Sequence, residues 1–330
     1  MLVAAIGIWR HYGANEVVVY YLSALETVYR LMKAYESSGL IRLESFPSLP
    51  SFDDNVHLFE KIEWRNQPSA YLDCLYSYRE AAQYIIFADP DDVLVPKLGQ
   101  TYLSEFEQLF ERWPDASGFL YNRLDLEIYH DSIGKPIGEF RLDELLQNYK
   151  PRNCAPTPAT KYAAIPSRII GAWIHNSGRI VGDFVDHKIS CEENSFLHFR
   201  TWFQSSAQNQ GKDALVQGLT NSEKNKQTFA KENIQMMQEH YQQVIRSNNV
   251  SDMIPHDGEM LIRLMENCYA QRHAGIITTK CPGPHMCSFP PVNRTCVLAK
   301  GRYTFIAAKR TMKFSVLNSA QYETADSCFR

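Results

Sequence analysis

The first half of the chain alternates between helical and strand-like hydrophobic patterns. Apolar residues at helical spacing take turns with short β-branched, aromatic and apolar runs, in the order helix 2–13, strand 16–22, helix 25–38, strand 41–46, helix 69–82 and strand 83–88. Apolar runs without polar alternation are typical of strands covered on both faces. The order therefore predicts an α/β fold, with a mostly parallel twisted sheet flanked by helices.

The middle of the chain continues in the same way. Residues 98–113 have helical spacing, and the alternation of residues 118–128 predicts one strand. Residues 160–175 predict two short strands on either side of Pro166. We interpret residues 1–205 as one α/β domain.

The last part of the chain has a different character. From Asp213 to Ala270 the pattern is mostly helical, with a break near Pro255, and the last 30 residues contain short strand-like runs. Five of the eight cysteines also lie after residue 267. We interpret residues 206–330 as a helical and cysteine-rich region.

Composition and charge exclude several classes of protein. Of 330 residues, 45% are hydrophobic and 22% are charged, which is too apolar for a disordered chain. The net charge of −3 offers no basic field, so we expect no nucleic-acid partner. No apolar run approaches the ~18 residues of a membrane-spanning helix, and no secretory signal peptide follows Met1. The chain as written is expected to be soluble.

The cysteines indicate disulfide bonds. No Cys-x-x-Cys pair occurs, so the cluster favours cross-links over a zinc site. Glycosylation sequons begin at Asn249 and Asn293. Together these features favour a secretory lumen.

The clearest chemical motif is acidic. Asp89, Asp91 and Asp92 follow the apolar strand at 83–88, and in an open α/β sheet ligands bind where strands end. Carboxylates on alternating residues suit Mg²⁺ or Mn²⁺ with open positions for phosphate oxygens. The alternative is an Asp-Pro-Asp turn with Asp92 as a helix cap.

An ordered series of segments carries a family resemblance. The series runs WRHYG from Trp9, then VVVYYLSA, YLDCLYSYREAAQYIIFADPDDVLVP, KYAAIP, WIH and FLHFRTW. Across residues 2–205 it resembles glycosyltransferase family 92, a family well represented in nematodes that includes β-galactosyltransferases. The resemblance implies a GT-A fold and inverting transfer of a hexose, galactose, from a UDP-sugar to a glycan or glycoprotein acceptor. It also implies a divalent metal, Mn²⁺, and the Golgi lumen.

The resemblance also implies roles for individual residues. Matched one by one, the metal ligands are Asp89, Asp91 and His198, and the donor-binding residues are Asp73, Asp89, Lys161 and Arg168. An inverting transfer also needs a general base, which the sequence does not single out. Asp183 and Asp186, between the WIH segment and His198, are our candidates for that base.

The chain departs from the family at its start. Family members usually have a membrane anchor, a stem and a first strand that contacts the nucleotide, whereas here Met1 lies inside what should be the first helix. We expect that strand to be missing from the sheet, and any membrane attachment to depend on an anchor absent from this chain. Two alternatives follow from the residues: an inactive lectin-like or scaffold relative, and a metal-dependent phosphohydrolase.

Overall fold

The computed structural model shows two compact units. It describes residues 1–47, 49–50, 62–130, 134–151, 154, 159–204, 229–255, 259–278, 286–287, 294–309, 312–325 and 328. One unit comprises residues 1–17 and 71–254, and the other comprises residues 18–70 and 255–330. The predicted boundary after residue 205 falls beside residues outside this description, and it stays a prediction.

Helices and strands alternate along the described chain. The α-helices are α1 (Leu2–His11), α2 (Glu26–Ser37), α3 (Gln67–Tyr78), α4 (Tyr102–Arg112), α5 (Leu142–Gln147), α6 (Lys231–Ser247) and α7 (Glu259–His273). The strands are β1 (Val18–Tyr21), β2 (Ser23–Leu25), β3 (Arg42–Ser45), β4 (Ile85–Phe87), β5 (Asp92–Leu94), β6 (Ala116–Tyr121), β7 (Arg123–His130), β8 (Tyr149–Pro151), β9 (Lys161–Ala164), β10 (Ile169–Gly171), β11 (Arg179–Ile180), β12 (Val185–Ile189), β13 (Phe196–Gln204), β14 (Cys296–Lys309) and β15 (Met312–Ala325). The helices and strands predicted within residues 2–113 lie where the pattern put them.

The first unit contains two four-stranded sheets. One has the order β12-β6-β9-β4, and the other has the order β5-β13-β7-β8. On the first sheet, Phe87 of β4 and Tyr162 of β9 form a buried core together with Leu75 of helix α3. Residues 88–91 connect β4, an edge strand of the first sheet, to β5, an edge strand of the second. The acidic motif is therefore the connection between two sheets.

The chain also crosses between these sheets at Asn122. Its side-chain Nδ2 donates to the Ile189 carbonyl at 3.1 Å, and its own carbonyl accepts from the Phe196 amide at 2.9 Å. The predicted single strand 118–128 is therefore wrong, because β6 ends and β7 begins on either side of this residue.

Strand direction also differs from the prediction. The α/β class is confirmed, but the sheets are mixed: among the described strands three pairings are parallel and seven are antiparallel. The prediction of a mostly parallel sheet is therefore not confirmed. An apolar run reports that a strand is covered on both faces, but it carries no information on the direction of its neighbours.

The second unit has a parallel pair and an antiparallel sheet. Strands β1 and β3 pair in parallel with α2 between them in the chain. Strands β14 and β15 form a long hairpin that also pairs with β2, so the short strand-like runs predicted near the end of the chain belong to 14-residue strands. The predicted helical stretch with a break near Pro255 corresponds to α6 and α7 within the described residues.

The predicted disulfides are confirmed. The pairs are Cys154–Cys191, Cys268–Cys287 and Cys296–Cys328. Cys74 keeps its thiol, and Cys281 lies outside the described residues, as does the sequon at Asn293. Among the residues described, no helix combines the length and the apolar character needed to cross a membrane.

Candidate functional site

Strand register brings three polar side chains into one row. Antiparallel pairing of β13 with β5 sets His198 opposite Asp92. Parallel pairing of β13 with β7 sets the same histidine opposite Asp125. Residues directly opposite on neighbouring strands share one face of a sheet, so the imidazole lies between two carboxylates.

His198 contacts carboxylates through both ring nitrogens. Its Nδ1 lies 2.8 Å from Asp125 Oδ1, and its Nε2 lies 3.2 Å from Asp91 Oδ2. The Asp91 carbonyl also accepts a hydrogen bond from the Phe199 amide, which fixes the turn against β13. Burial by itself lowers the pKa of His198, but the hydrogen bond with Asp91 and the charge of Asp92 raise it above its ordinary value.

Asp92 is a buried carboxylate with one unsatisfied oxygen. The side chain is fully buried; its Oδ1 accepts from Arg123 Nε at 3.1 Å, whereas Oδ2 has no hydrogen-bond donor within the described residues. The nearest cation to Oδ2 is Lys161, whose Nζ lies 3.6 Å away. Burial raises the pKa of Asp92 to about 6, although Lys161 and Arg123 pull it down.

Asp89 lies beside this cluster with different partners. Its Oδ2 accepts from Lys161 Nζ at 2.6 Å, and its Oδ1 accepts from the Tyr71 hydroxyl at 3.0 Å. Lys161 is fully buried, and its ammonium group also lies 3.5 Å from the Ile174 carbonyl. The predicted donor-binding pair Asp89 and Lys161 is thus brought together as an ion pair.

The cluster suits a divalent cation. One ligand atom each from Asp91, Asp92 and His198 lie within 4.8 Å of one another. Carboxylate oxygens and an imidazole are ligands that Mn²⁺ accepts. The unpartnered Oδ2 of Asp92 is the atom that such an ion would satisfy, because a buried polar atom without a partner is costly. Of the three predicted metal ligands, Asp91 and His198 belong to this group. Asp89 does not, and Asp92 contributes the second carboxylate instead.

Two other predicted donor-binding residues have different surroundings. Asp73 lies on an exposed position of α3. Arg168 donates to the Pro114 and Ala116 carbonyls, both at 2.7 Å, and its guanidinium lies over the ring of Phe184. These contacts hold Arg168 within the fold, and its role in donor binding stays a prediction.

The two candidate bases also differ from each other. Asp183 is exposed on a turn before β12. Asp186 is engaged: its Oδ1 accepts from the hydroxyls of Ser117 at 2.7 Å and Ser177 at 2.6 Å, and its Oδ2 accepts from the Ser177 amide at 3.3 Å. A carboxylate that accepts three hydrogen bonds from the protein is typical of a positioning residue, and neither base assignment is tested by these contacts.

Sequence reasoning missed three members of the site. Asp92 was assigned a helix cap in the turn interpretation, and Arg123 and Asp125 were read only as part of an alternating strand. Residues two apart on a strand share one face, so the spacing puts Arg123, Asp125 and Glu127 on the same side of β7. This alternation of charged and apolar residues is equally typical of a strand with one solvated face, so it gave no signal for a buried polar site.

Comparisons with known proteins give one consistent family. The sequence model of glycosyltransferase family 92 matches residues 1–245. Three Caenorhabditis elegans proteins, each described as a glycosyltransferase family 92 protein, are similar to the chain. The first is 34% identical over 211 residues, which is 61% of this chain and 38% of the relative. The second is 25% identical over 303 residues, which is 86% of this chain and 57% of the relative. The third is 22% identical over 343 aligned positions, which is 99% of this chain and 66% of the relative. The chain thus spans between 38% and 66% of the length of these relatives.

Proposed function

Because the chain belongs to glycosyltransferase family 92, we propose that it transfers a hexose, galactose, from UDP-galactose to a glycan or glycoprotein acceptor, with inversion at the anomeric carbon. The observation that carries the proposal is the cluster of Asp91, Asp92 and His198, in which a buried carboxylate oxygen accepts no hydrogen bond from the described residues. The donor sugar and the inverting course rest on the family resemblance alone.

The same cluster is proposed to hold the divalent metal, Mn²⁺. Asp91 and Asp92 would supply carboxylate oxygens, and His198 would supply a neutral nitrogen through Nε2 once Asp125 holds Nδ1. An ion held there would neutralise diphosphate charge, which would make the nucleotide a better leaving group. We also retain Asp89 as a proposed donor-binding residue. It pairs with Lys161, whose buried ammonium group offsets the charge of the carboxylate.

The surrounding residues fix the charge balance of the site. Four carboxylates, from Asp89, Asp91, Asp92 and Asp125, face the cations Lys161 and Arg123 and the imidazole of His198. Like charges so close together raise the free energy of the apo site unless a proton or a cation offsets them. The excess of carboxylate therefore favours binding of a cation, and with it a phosphate-bearing donor.

The cysteines support a proposal for the compartment. The three disulfides among the described residues suit an oxidising lumen. We propose the Golgi lumen as the site of action, with no nucleic-acid partner.

A donor screen with the full chain tests the proposal. UDP-galactose, UDP-glucose and UDP-N-acetylgalactosamine are each incubated with glycan and glycoprotein acceptors, with Mn²⁺ or with a chelator, and the product linkage is read by NMR. We expect transfer from UDP-galactose that stops with the chelator and gives the inverted anomer. A folded protein that binds no UDP-sugar in the presence of Mn²⁺ would contradict the proposal and favour the inactive lectin-like or scaffold alternative.

A further inference from the structure

A tight loop follows β10, and its base is held by hydrogen bonds. The loop, residues 172–178, is closed by a bridge between Gly171 and Gly178, and the Trp173 amide donates to the Asn176 carbonyl at 3.0 Å. Ser177 anchors it to Asp186 through both its hydroxyl and its amide. A loop tied at this many points presents its side chains in a fixed geometry.

His175 in this loop has a defined tautomer. Its Nδ1 lies 3.0 Å from the Thr160 carbonyl, and because a carbonyl only accepts, Nδ1 carries the hydrogen. The Thr160 hydroxyl in turn donates to the His175 carbonyl, so the ring and the backbone are fixed by the same residue. In the neutral ring the lone pair is then on Nε2, which makes no hydrogen bond to any described residue.

The loop that carries the ring lies beside Lys161 and its partner Asp89. The carbonyl of Ile174, the preceding residue, is 3.5 Å from Lys161 Nζ, and that nitrogen binds Asp89. Burial lowers the pKa of His175, and the charges of Lys161 and Arg123 lower it further, whereas the charge of Asp89 raises it. The imidazole is therefore neutral at physiological pH and able to accept a proton.

A neighbouring side chain indicates where an acceptor sugar would lie. Trp173, two residues before His175, has 40% of its surface exposed, while its carbonyl accepts from the buried Tyr162 hydroxyl at 3.0 Å. An exposed indole on a fixed backbone offers a flat apolar face to a sugar ring.

We propose that His175 is the general base of the transfer, an inference that rests on the proposed function. His175 Nε2 takes the proton of the acceptor hydroxyl while that oxygen forms a bond to the anomeric carbon. The bond from the anomeric carbon to the β-phosphate oxygen breaks, and its electron pair leaves with UDP. The imidazolium then releases its proton to water.

This assignment differs from the two aspartates named above. Asp186 acts through Ser177 and is a positioning residue for the loop, because three of its acceptor sites are already used. Asp183 is exposed on its turn, without the burial that tunes a catalytic group.

The test uses the full chain with UDP-galactose, Mn²⁺ and an acceptor glycan. His175→Gln keeps a polar amide near the position of Nε2 but cannot take a proton there, and His175→Ala leaves room for added imidazole. We expect kcat to fall by about 100-fold or more in each variant, while UDP affinity in the presence of Mn²⁺ is unchanged. Added imidazole should restore part of the rate of His175→Ala. The matched control is His187→Ala. His187 lies on β12 and pairs with Asp115, so its removal should leave kcat unchanged.

The outcomes separate this inference from the proposed function. If the parent transfers galactose and His175→Gln does so at the same kcat, the inference is wrong and the transferase stands. If Asp183→Asn loses transfer activity while His175→Gln has the parent kcat, the general base is Asp183. If His175→Gln instead loses UDP affinity at unchanged kcat, the residue binds donor and is not the base. A parent that neither binds nor transfers any UDP-sugar overturns the proposed function and the inference with it.

Discussion

Two buried carboxylates in the first unit show opposite kinds of bonding. Glu105 of α4 is fully buried, its Oε2 accepts from the Lys97 and Leu98 amides at 2.8 and 2.7 Å, and its Oε1 accepts from Asn194 Nδ2 at 2.8 Å. Asp92 is equally buried, but its Oδ2 accepts no hydrogen bond from the described residues.

The difference separates a structural carboxylate from a ligand. Every donor around Glu105 is a neutral protein group already in place, so this carboxylate connects α4 to two loops and needs nothing further. Asp92 instead lies among other carboxylates, Asp89 and Asp91 among them, and its Oδ2 has no hydrogen-bond donor among the described residues. Burial alone therefore does not identify a site; unsatisfied bonding within a cluster of like charges does.

The largest expected effect is on metal-dependent binding. Asp91→Asn removes the carboxylate that contacts His198 Nε2, so the affinity for UDP with Mn²⁺ should fall by more than the ~10- to 100-fold typical of outer-shell changes. The folded apo protein should persist, since Asp91 is partly exposed. Calorimetric titration of UDP with Mn²⁺ measures the loss. Unchanged affinity in this variant would favour the turn interpretation of the motif.

The opposite pattern is expected at the other carboxylate. Glu105→Ala leaves the part-buried Lys97 and Leu98 amides without this acceptor and leaves Asn194 Nδ2 with only the Val95 carbonyl of its two described acceptors, which should lower the free energy of unfolding by about 2–3 kcal/mol. Glu105→Gln, which keeps one oxygen, should lose less. Urea unfolding measures both variants. At urea concentrations at which the Glu105 variants remain folded, titration with UDP and Mn²⁺ should give the parent affinity. A loss of affinity under those conditions would contradict the distinction between the two carboxylates.

A smaller effect is expected at the outer shell of the cluster. Asp125→Asn keeps a polar group beside His198 Nδ1 but removes the charge that orients the ring, so metal affinity should fall by about 10-fold. Asp115→Asn is the matched control, because it changes the same Asp–His pairing beside His187, away from the cluster. Manganese titration followed by electron paramagnetic resonance compares them, and equal affinities in the two variants would contradict the role of Asp125.

The smallest effect is a pH dependence of the apo protein. Because the pKa of Asp92 is raised to about 6, the folded state binds a proton more tightly than the unfolded state does, and so this contribution to stability is present at acid pH and is lost as pH rises through about 6. The raised pKa of His198 acts in the same direction. Mn²⁺ must displace these protons, so its stabilisation should be larger at about pH 7.5 than at about pH 5.

Thermal unfolding with and without Mn²⁺ at the two pH values checks this dependence. Asp91→Asn is the control, since it should show almost no stabilisation by the ion at either pH. A shift in the parent that is larger at acid pH would contradict the assignment of Asp92 and His198 as ligands.

Local pattern predicted the elements of the fold but not their pairing. Helices α1 and α2 and strands β1 and β3 could be read from spacing because each element buries its own apolar face. The change of sheet at Asn122 could not, since it depends on contacts with Ile189 and Phe196, far along the chain. Strand direction, which also depends on distant partners, was missed for the same reason.

The candidate site was predictable in part for a related reason. Asp91 stood out because acidic residues at a strand end are conspicuous, and His198 entered through the family resemblance. Asp92 and Asp125 became recognisable only once the register of β13 against β5 and β7 set both of them opposite His198. Pairing register is a property of distant segments, and no local spacing encodes it.

The central claim is that Asp91, Asp92 and His198 together hold the divalent ion. The most direct measurement is the anomalous scattering of manganese from crystals of the full chain grown with Mn²⁺ and UDP. We expect one strong anomalous peak within bonding distance of an oxygen of each aspartate, including Asp92 Oδ2, and of His198 Nε2. Bound UDP with no peak there, or a peak at other residues, would contradict it.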